Sequence, residues 1–566
     1  MNTIRSFFLD NQLLFIGTIG VLTTIGSLGH MPVAQASEMI DDWSTAEPLA
    51  DVDVSGDRSF GSYSTQADDL RSASNDTLPP FTRDDLLALD RMSDFGREQV
   101  EEVELPPGNG EIISAIEVQF IEDGEIVDDG KTREFIITRE FDIEPGDVYD
   151  LEKVQDGLQR LNNLNLIQSA SVIIQPTENP DEVVMLVTVD EVRAHFGFDF
   201  GLSLPQPSAL QGATAPDTVL PGTNRGGGIA GGIQFQWRNL GGNNQTIAAG
   251  IEGGENAASV DVSFTDPWIA TFGRRIGYSV NFLNVREVSS VFDGGDEVEL
   301  PNDNDPWVHR LGGGFEFFTP LSDSFAVATG LSYQRVSVRD DAFTGDIFLE
   351  DELGNDLTFS EDGRDDLLTT SFSGALDRRD NSEHPTRGYR FLFRNDLYIP
   401  IGQANIAADR ISANYTQFVP VPFFGADEPS VFVFNVQGGT FIGDLPPYEA
   451  FSLGGAGSVR GYEAGEVGSA RSFVQGTIEY RFPLFDFNAF RREIDIGGTL
   501  FVDYASDLGS GDTVPGEPAE VRDKPGDGAG FGGGIRARTP FGIMRLEGAV
   551  TDDGESEVVF QLGDRF

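Results

Sequence analysis

The stretch Ser472-Phe473-Val474-Gln475-Gly476-Thr477-Ile478-Glu479-Tyr480-Arg481-Phe482-Pro483 decides the fold. Val474, Ile478, Tyr480 and Phe482 share one parity with Ser472 and Gly476. Gln475, Thr477, Glu479 and Arg481 share the other with Arg471 and Phe473. A period of two marks a strand with unlike faces. In a bilayer the first face meets lipid and the second a wet interior. In water the first face needs a covering layer, as in a two-sheet sandwich.

Sixteen runs of this kind follow one another from about 194–204 to 556–566. Their lengths suit tilted membrane strands of roughly 9–11 residues. Long acidic insertions near 205–225, 287–305, 337–365, 443–470 and 506–525 alternate with short turns such as 240–243, Ala270-Thr271 and Leu321. Long loops on one rim and short turns on the other are expected of an outer-membrane barrel. Arg522, in the last of these insertions, reads as an exposed loop arginine. The closing run places Val558, Phe560, Leu562 and Phe566 on one parity, with Phe566 ending the last strand. The expected fold is an all-β transmembrane barrel of 16 antiparallel strands over residues 193–566, with a long infolded loop at 443–470.

Composition agrees with a wet interior and hydrated loops. The 566 residues hold 93 acidic and 38 basic side chains, a net charge of −55, with 67 glycines, 44 phenylalanines and no cysteine. That charge opposes nucleic acid as a partner. Without cysteine there is no disulfide, thiolate metal site or cysteine nucleophile. His195 and His384 belong to no ligand or base motif, and Ser458 has no triad around it. The chain reads as neither an enzyme nor a carrier of a metal or cofactor.

Residues 1–36 read as a signal peptide. Arg5 precedes an apolar run from Leu13 to Leu28, and Ala34-Gln35-Ala36 is a cleavage pattern. An uncleaved N-terminal anchor is the alternative. Residues 37–110 carry 18 acidic and 5 basic residues and read as a largely disordered lead, with one short helix near Pro80 to Arg97. Beyond residue 36 no apolar run of about 20 residues could form a spanning helix.

Residues 111–192 read as a small α+β domain of order β-α-α-β-β. Ile116, Val118 and Phe120 alternate, and a helical stretch runs from Lys131 to Arg139. Pro145-Gly146-Asp147 turns the chain, and Asp150 caps a second helix whose Leu151, Val154, Leu158 and Leu161 share a face. Two strands, 169–175 and 182–189, close the unit. Helices on one side leave a sheet edge free for a partner strand.

The sharpest local signal is Gly454-Gly455-Ala456-Gly457-Ser458-Val459-Arg460-Gly461-Tyr462. It lies inside a long connection between two clear strands. A guanidinium fixed on a glycine loop needs an acceptor. Asp503 and Glu479, inward on nearby strands, are the candidates, with Phe501 on the face of Asp503.

These residues together resemble the outer-membrane assembly-barrel superfamily of the BamA/TamA type. The small domain resembles a polypeptide-transport-associated (POTRA) domain. In that family a Val-Arg-Gly-Tyr loop folds back into the barrel and its arginine meets an inward acid. The matching positions are Val459, Arg460, Gly461 and Tyr462, with Phe501, Asp503 and Glu479 receiving them. Pro446-Pro447-Tyr448, Phe264-Thr265-Asp266-Pro267 and Pro385-Thr386-Arg387-Gly388 fit the family as well. One POTRA copy is legible where central members carry several, so a shortened cyanobacterial or plastid-type member is expected.

The resemblance implies insertion of unfolded β-barrel clients at a lateral seam where Phe560, Leu562 and Phe566 close the sheet. Its alternative is polypeptide translocation or secretion through the pore. The implied partners are unfolded clients or translocated polypeptides, outer-membrane lipid, and periplasmic accessory proteins or chaperones. The implied location is the outer membrane, with the POTRA domain in the periplasm or intermembrane space.

Overall fold

The computed structural model describes residues 105–106, 110–122, 125–127, 129–164, 166–192, 196–203, 230–269, 275–322, 324–381, 384–421, 430–489, 492–539 and 542–566. The signal peptide, nearly all of the acidic lead with its short helix, His195, the 205–225 insertion and the Ala270-Thr271 turn lie outside the described residues.

The small domain is built from β1 (Ile112–Glu122), β2 (Glu125–Val127), α1 (Glu134–Thr138), α2 (Leu151–Asn162), β3 (Ile167–Pro176) and β4 (Glu182–Glu191). Asp150 caps α2 by accepting from the Glu152 and Lys153 amides. Val154 and Leu161 on its inner face are buried with Ile113, Met185 and Val187. Strand order is β2-β1-β4-β3, with β1 and β4 parallel at the centre.

The expected β-α-α-β-β order is therefore corrected to β-β-α-α-β-β. The chain doubles back after Glu122, so Phe120 faces Val127 across a short hairpin. The first helix is shorter than its pattern, and the Lys131 and Thr132 amides ahead of it donate to the Glu191 carboxylate at 2.8 and 2.7 Å.

A single sixteen-stranded antiparallel sheet follows. Its first half is β5 (Phe196–Ser203), β6 (Ala230–Trp237), β7 (Thr246–Gly254), β8 (Ala257–Asp266), β9 (Gly277–Val288), β10 (Trp307–Ser322), β11 (Phe325–Arg339) and β12 (Asp365–Asp377). It continues through β13 (Gly388–Ile399), β14 (Ala408–Val421) and β15 (Ser430–Gly443). A long loop then carries its own two-stranded piece, β16 (Phe451–Leu453) with β17 (Gly468–Ala470). The sheet ends with β18 (Ser472–Ala489), β19 (Arg492–Ser506), β20 (Asp527–Thr539), β21 (Gly542–Thr551) and β22 (Ser556–Leu562).

The sheet is not closed, and the expectation of a closed barrel is corrected here. Among the described residues β5 and β22 come within 8 Å of each other, Cα to Cα, but no ladder joins them. The chain also leaves the sheet edge early. The last strand was expected to run to Phe566, but it stops at Leu562, paired with Met544. Gly563 then takes φ +92° and turns the chain off the edge. Asp564 and Arg565 find partners on the inner face, and Phe566 packs against the cluster of Phe418, Val431 and Val433.

Alternation sorts the faces. On β18, Ile478 is 51% exposed while its neighbour Glu479 is fully buried. The inner face is covered by the infolded connections. Val291, Leu300, Leu357, Phe451, Val459 and Val467 join strand residues such as Val336 and Phe473 in one buried cluster. Arg522 belongs to this packing. It is 2% exposed and donates to the Phe292 and Val298 carbonyls at 3.0 Å, so the reading of it as an exposed arginine is corrected.

Candidate functional site: a buried arginine under an infolded loop

The 444–471 connection enters the sheet's interior and presents Arg460 to β18, β19 and β21. The side chain has no solvent exposure. Its Nε and Nη2 donate to the two Asp503 oxygens at 2.7 and 3.0 Å, a bidentate pair. Its backbone amide reaches the same carboxylate at 3.2 Å. Nη1 donates to Glu479 at 3.0 Å and to Glu547 at 3.2 Å. The guanidinium carbon lies over the Phe501 ring, 3.3 Å from its centre, a cation–π contact. A planar five-donor group suits this set of acceptors, whereas a lysine ammonium would not span it.

The carboxylates are shared further. Asp503 also accepts from Thr477 at 2.7 Å and from Arg565 at 3.2 Å. Glu479 accepts from Arg481 at 2.7 Å. Asp564 bridges Arg481 and Arg536, at 2.9 Å each. Arg545 lies 3.4 Å from Glu547. Each buried charge thus has an opposite charge in contact, which buried ions need if the desolvation cost is to be offset.

Backbone shape admits the loop. Gly461 has φ +105°, where a side chain would be strained. Gly530 on β20 faces the loop so closely that a Cβ there would sit 2.0 Å from the Arg460 carbonyl oxygen. The glycine run on β20 therefore makes room for the loop backbone. Val459 is buried in the interior cluster, and the Tyr462 hydroxyl sits 2.7 Å from Asp552 and 2.9 Å from Asp553 in the β21–β22 connection.

A second anchor lies earlier in the same loop. Glu449 meets Arg310 at 2.5 Å, Arg410 at 3.3 Å and the Tyr398 hydroxyl at 2.9 Å. Tyr448 donates to Asp365 at 2.7 Å. Burial pushes the Tyr448 hydroxyl far above its ordinary pKa, with the nearby Asp365 and Glu449 carboxylates adding to the rise. Sequence reading placed Arg460, Phe501, Asp503 and Glu479 at one site, and the structure brings these four together. It missed Glu449, Glu547 and Arg565, which sit far apart in the chain. The only signal for Glu547 was its inward parity with Arg545. Of the expected seam residues, Phe560 lies on the outer face, Leu562 ends β22, and Phe566 is turned inside.

At the opposite rim the small domain grips two short turns. Asn239 donates to Thr132 at 2.8 Å, and the Arg133 amide donates to the Gly242 carbonyl at 3.0 Å. Arg139 donates to the Trp268 carbonyl at 3.1 Å and lies 4.8 Å from the Trp268 ring. Glu140 is buried between Arg139 and Arg275, at 4.0 and 3.9 Å. Burial raises its carboxyl above the ordinary range, and the two arginines only partly offset this.

Among the described residues no group of histidine and acidic side chains is arranged to hold a metal. The arrangement has no nucleophile paired with a base. What it can do is fix a loop in a defined place against β18, β19 and β21.

Comparison with known proteins supplies the frame. A family model described as "Omp85 superfamily domain" matches residues 239–566, and one described as "Surface antigen variable number repeat", the POTRA model, matches 121–192. "Outer envelope protein 80, chloroplastic" of Arabidopsis thaliana is 29% identical over 440 residues, 77% of this chain and 54% of that protein. "Protein TOC75-3, chloroplastic" of the same plant is 26% identical over 526 residues, 87% of this chain and 60% of that protein. The chain thus spans little more than half the length of these relatives. Among solved structures, BamA from Haemophilus ducreyi lacking POTRA domains 1–3 has a TM-score of 0.55 at 14% identity, covering 80% of this chain and 83% of that one. That likeness is one of fold.

Proposed function

We infer that this chain, which belongs to the Omp85 superfamily, inserts unfolded β-barrel clients into an outer membrane at the seam between β5 and β22. The observation that carries the reading is that seam: two neighbouring strand edges, each with one side free of a ladder among the described residues. A client strand entering hydrocarbon carries bare N–H and C=O groups, each costing several kcal/mol if left unpaired. An edge of β5 or β22 offers those groups partners before they leave water. The client's outer face then meets lipid while its backbone stays bonded, so no nucleotide is needed.

The POTRA domain is the receiving part. Its β3 has only β4 beside it among the described residues, so one long edge is free to take a client strand by augmentation. The grip on the 239–242 and 268 turns would hand that strand toward the rim of the large sheet. Arg460 fixes the infolded loop against β18 and β19, and Arg565 ties the end of β22 to the same carboxylate. Together they set the position of the seam.

An outer-membrane location, with the POTRA domain on the periplasmic or intermembrane-space side, is supported by the sequence-read export segment and by the outer-envelope relatives. Lipid and periplasmic chaperones are the partners this implies. Translocation through the interior is the alternative, and it would first have to displace the buried loop cluster. The two separate in a vesicle assay with an unfolded barrel client. Insertion leaves a protease-resistant client in the bilayer, whereas translocation delivers a soluble chain to the lumen.

A further inference from the structure

The outer face of β9, β10 and β11 carries a cluster of positive charge that the loop site does not use. The register places Arg286, His309 and Ser337 in one row, and Trp307 and Arg339 in the next row toward the rim. Arg286, His309, Ser337 and Arg339, with Arg335, Phe343 and Arg364, line a cavity of about 210 Å3, whose wall also includes Arg310 of the inner face, already paired with Glu449. This lies at the strand ends away from the POTRA contacts, because β9 starts beside Arg275 and ends at Val288.

These cations are oriented but weakly compensated. Arg286 donates to Asn284 and the Ala342 carbonyl, at 3.1 and 2.7 Å, and stacks 5.3 Å from the Phe343 ring centre. Arg339 donates to Ser337 and the Thr344 carbonyl, at 3.2 and 2.8 Å. Those acceptors are neutral. Among the described residues Arg335 alone of the four arginines pairs with a carboxylate, Asp366 at 2.8 Å. The other nearby acids keep their charge but are held by neutral donors rather than by these arginines. Asp340 accepts from Asn302 and Thr344, and Asp341 accepts from the Phe343 amide. In a chain of net charge −55, four arginines gathered on one face need a ligand to explain them.

The face changes character one row below. Leu311 beside Asn284 and Arg335, then Phe282 beside Gly313 and Tyr333, are exposed and apolar or aromatic. Successive rows on one face are about 7 Å apart. An apolar band therefore gives way to arginines within one or two rows, which is the step from acyl chain to headgroup.

We propose that this cavity binds the anionic headgroup, phosphate or sulfonate, of a lipid in the leaflet facing away from the POTRA domain. The acyl chains lie along Leu311, Phe282 and Phe315, and Arg286, Arg339 and Arg364 hold the anion. The proposal rests on the membrane location inferred above.

The test uses the full-length chain reconstituted in vesicles of phosphatidylcholine with a minor share of phosphatidylglycerol. The chain is then extracted in mild detergent and its retained lipid measured. Wild type is expected to retain phosphatidylglycerol selectively. Arg364→Gln, whose guanidinium makes no described hydrogen bond, should lower retention about fivefold, in line with one charge at a membrane surface. The triple change Arg286→Gln, Arg339→Gln and Arg364→Gln should abolish selectivity. Arg538→Gln, at the POTRA-side strand ends, should leave it unchanged. Inorganic phosphate should not displace the lipid. Equal retention by wild type and Arg364→Gln, or displacement by phosphate alone, would overturn the headgroup site. A wild-type chain that fails to float with vesicles would overturn the membrane location as well; one that floats without selectivity overturns only this proposal.

Discussion

Arg460 and Asp503 meet through two parallel hydrogen bonds, 2.7 and 3.0 Å long, with neither side chain reaching solvent. One residue belongs to a loop and the other to β19, so the pair joins a mobile class of element to a fixed one. Removing one partner of a buried pair leaves an uncompensated charge, at about 3–5 kcal/mol. Arg460→Ala should therefore lower the unfolding midpoint in detergent clearly. Arg460→Lys keeps the charge and loses the fork, and it should fall between Arg460→Ala and wild type. Equal stability of wild type and Arg460→Ala would contradict the pairing.

Asp503 serves Arg460, Arg565 and Thr477, while Glu547 serves Arg460 and Arg545 at longer range. Asp503→Asn should destabilise more than Glu547→Gln in chemical denaturation. In a double-mutant cycle with Arg460→Ala, the Asp503 coupling should be the larger, within the roughly 0.5–3 kcal/mol seen for contacting residues.

Gly530→Ala tests loop docking without touching a charge. The added methyl would fall 2.0 Å from the Arg460 carbonyl oxygen, so the loop has to lift. Limited proteolysis should then cut within 444–471 while the strands stay protected. Cleavage identical to wild type would show that the loop does not rest on β20.

Glu140 makes the POTRA grip depend on pH. Its carboxyl is raised above 4.5 mainly by burial, so folding favours the protonated form. That contribution is complete below about 4.5 and is lost as pH rises through the folded value. Glu140→Gln stays neutral throughout. Relative to wild type it should gain stability as pH rises from 4.5, measured by thermal melting across that range.

Much of the strand layout and the loop motif could be read from the chain, and the reasons are local. Ile478 and Glu479 differ in burial because neighbours on a strand face opposite ways. Arg460 announced itself by its glycines. Closure was not legible, because alternation fixes the face a residue takes and not which strands pair, and the inward turn at Gly563 has no periodic signal. Arg522 misled for a related reason: a loop of acidic composition says nothing of whether it folds into the interior. Glu547 and Arg565 were missed because their partners, Arg460 and Asp503, are 87 and 62 residues away in the chain.

The most direct test of the account is a disulfide placed between β5 and β22 in this cysteine-free chain. The locked protein, in vesicles, is offered an unfolded β-barrel client, and folded client in the bilayer is counted before and after reduction. The seam account predicts that oxidation stops insertion and reduction restores it, with Arg460-dependent stability unchanged. Undiminished insertion by a fully crosslinked protein would contradict it.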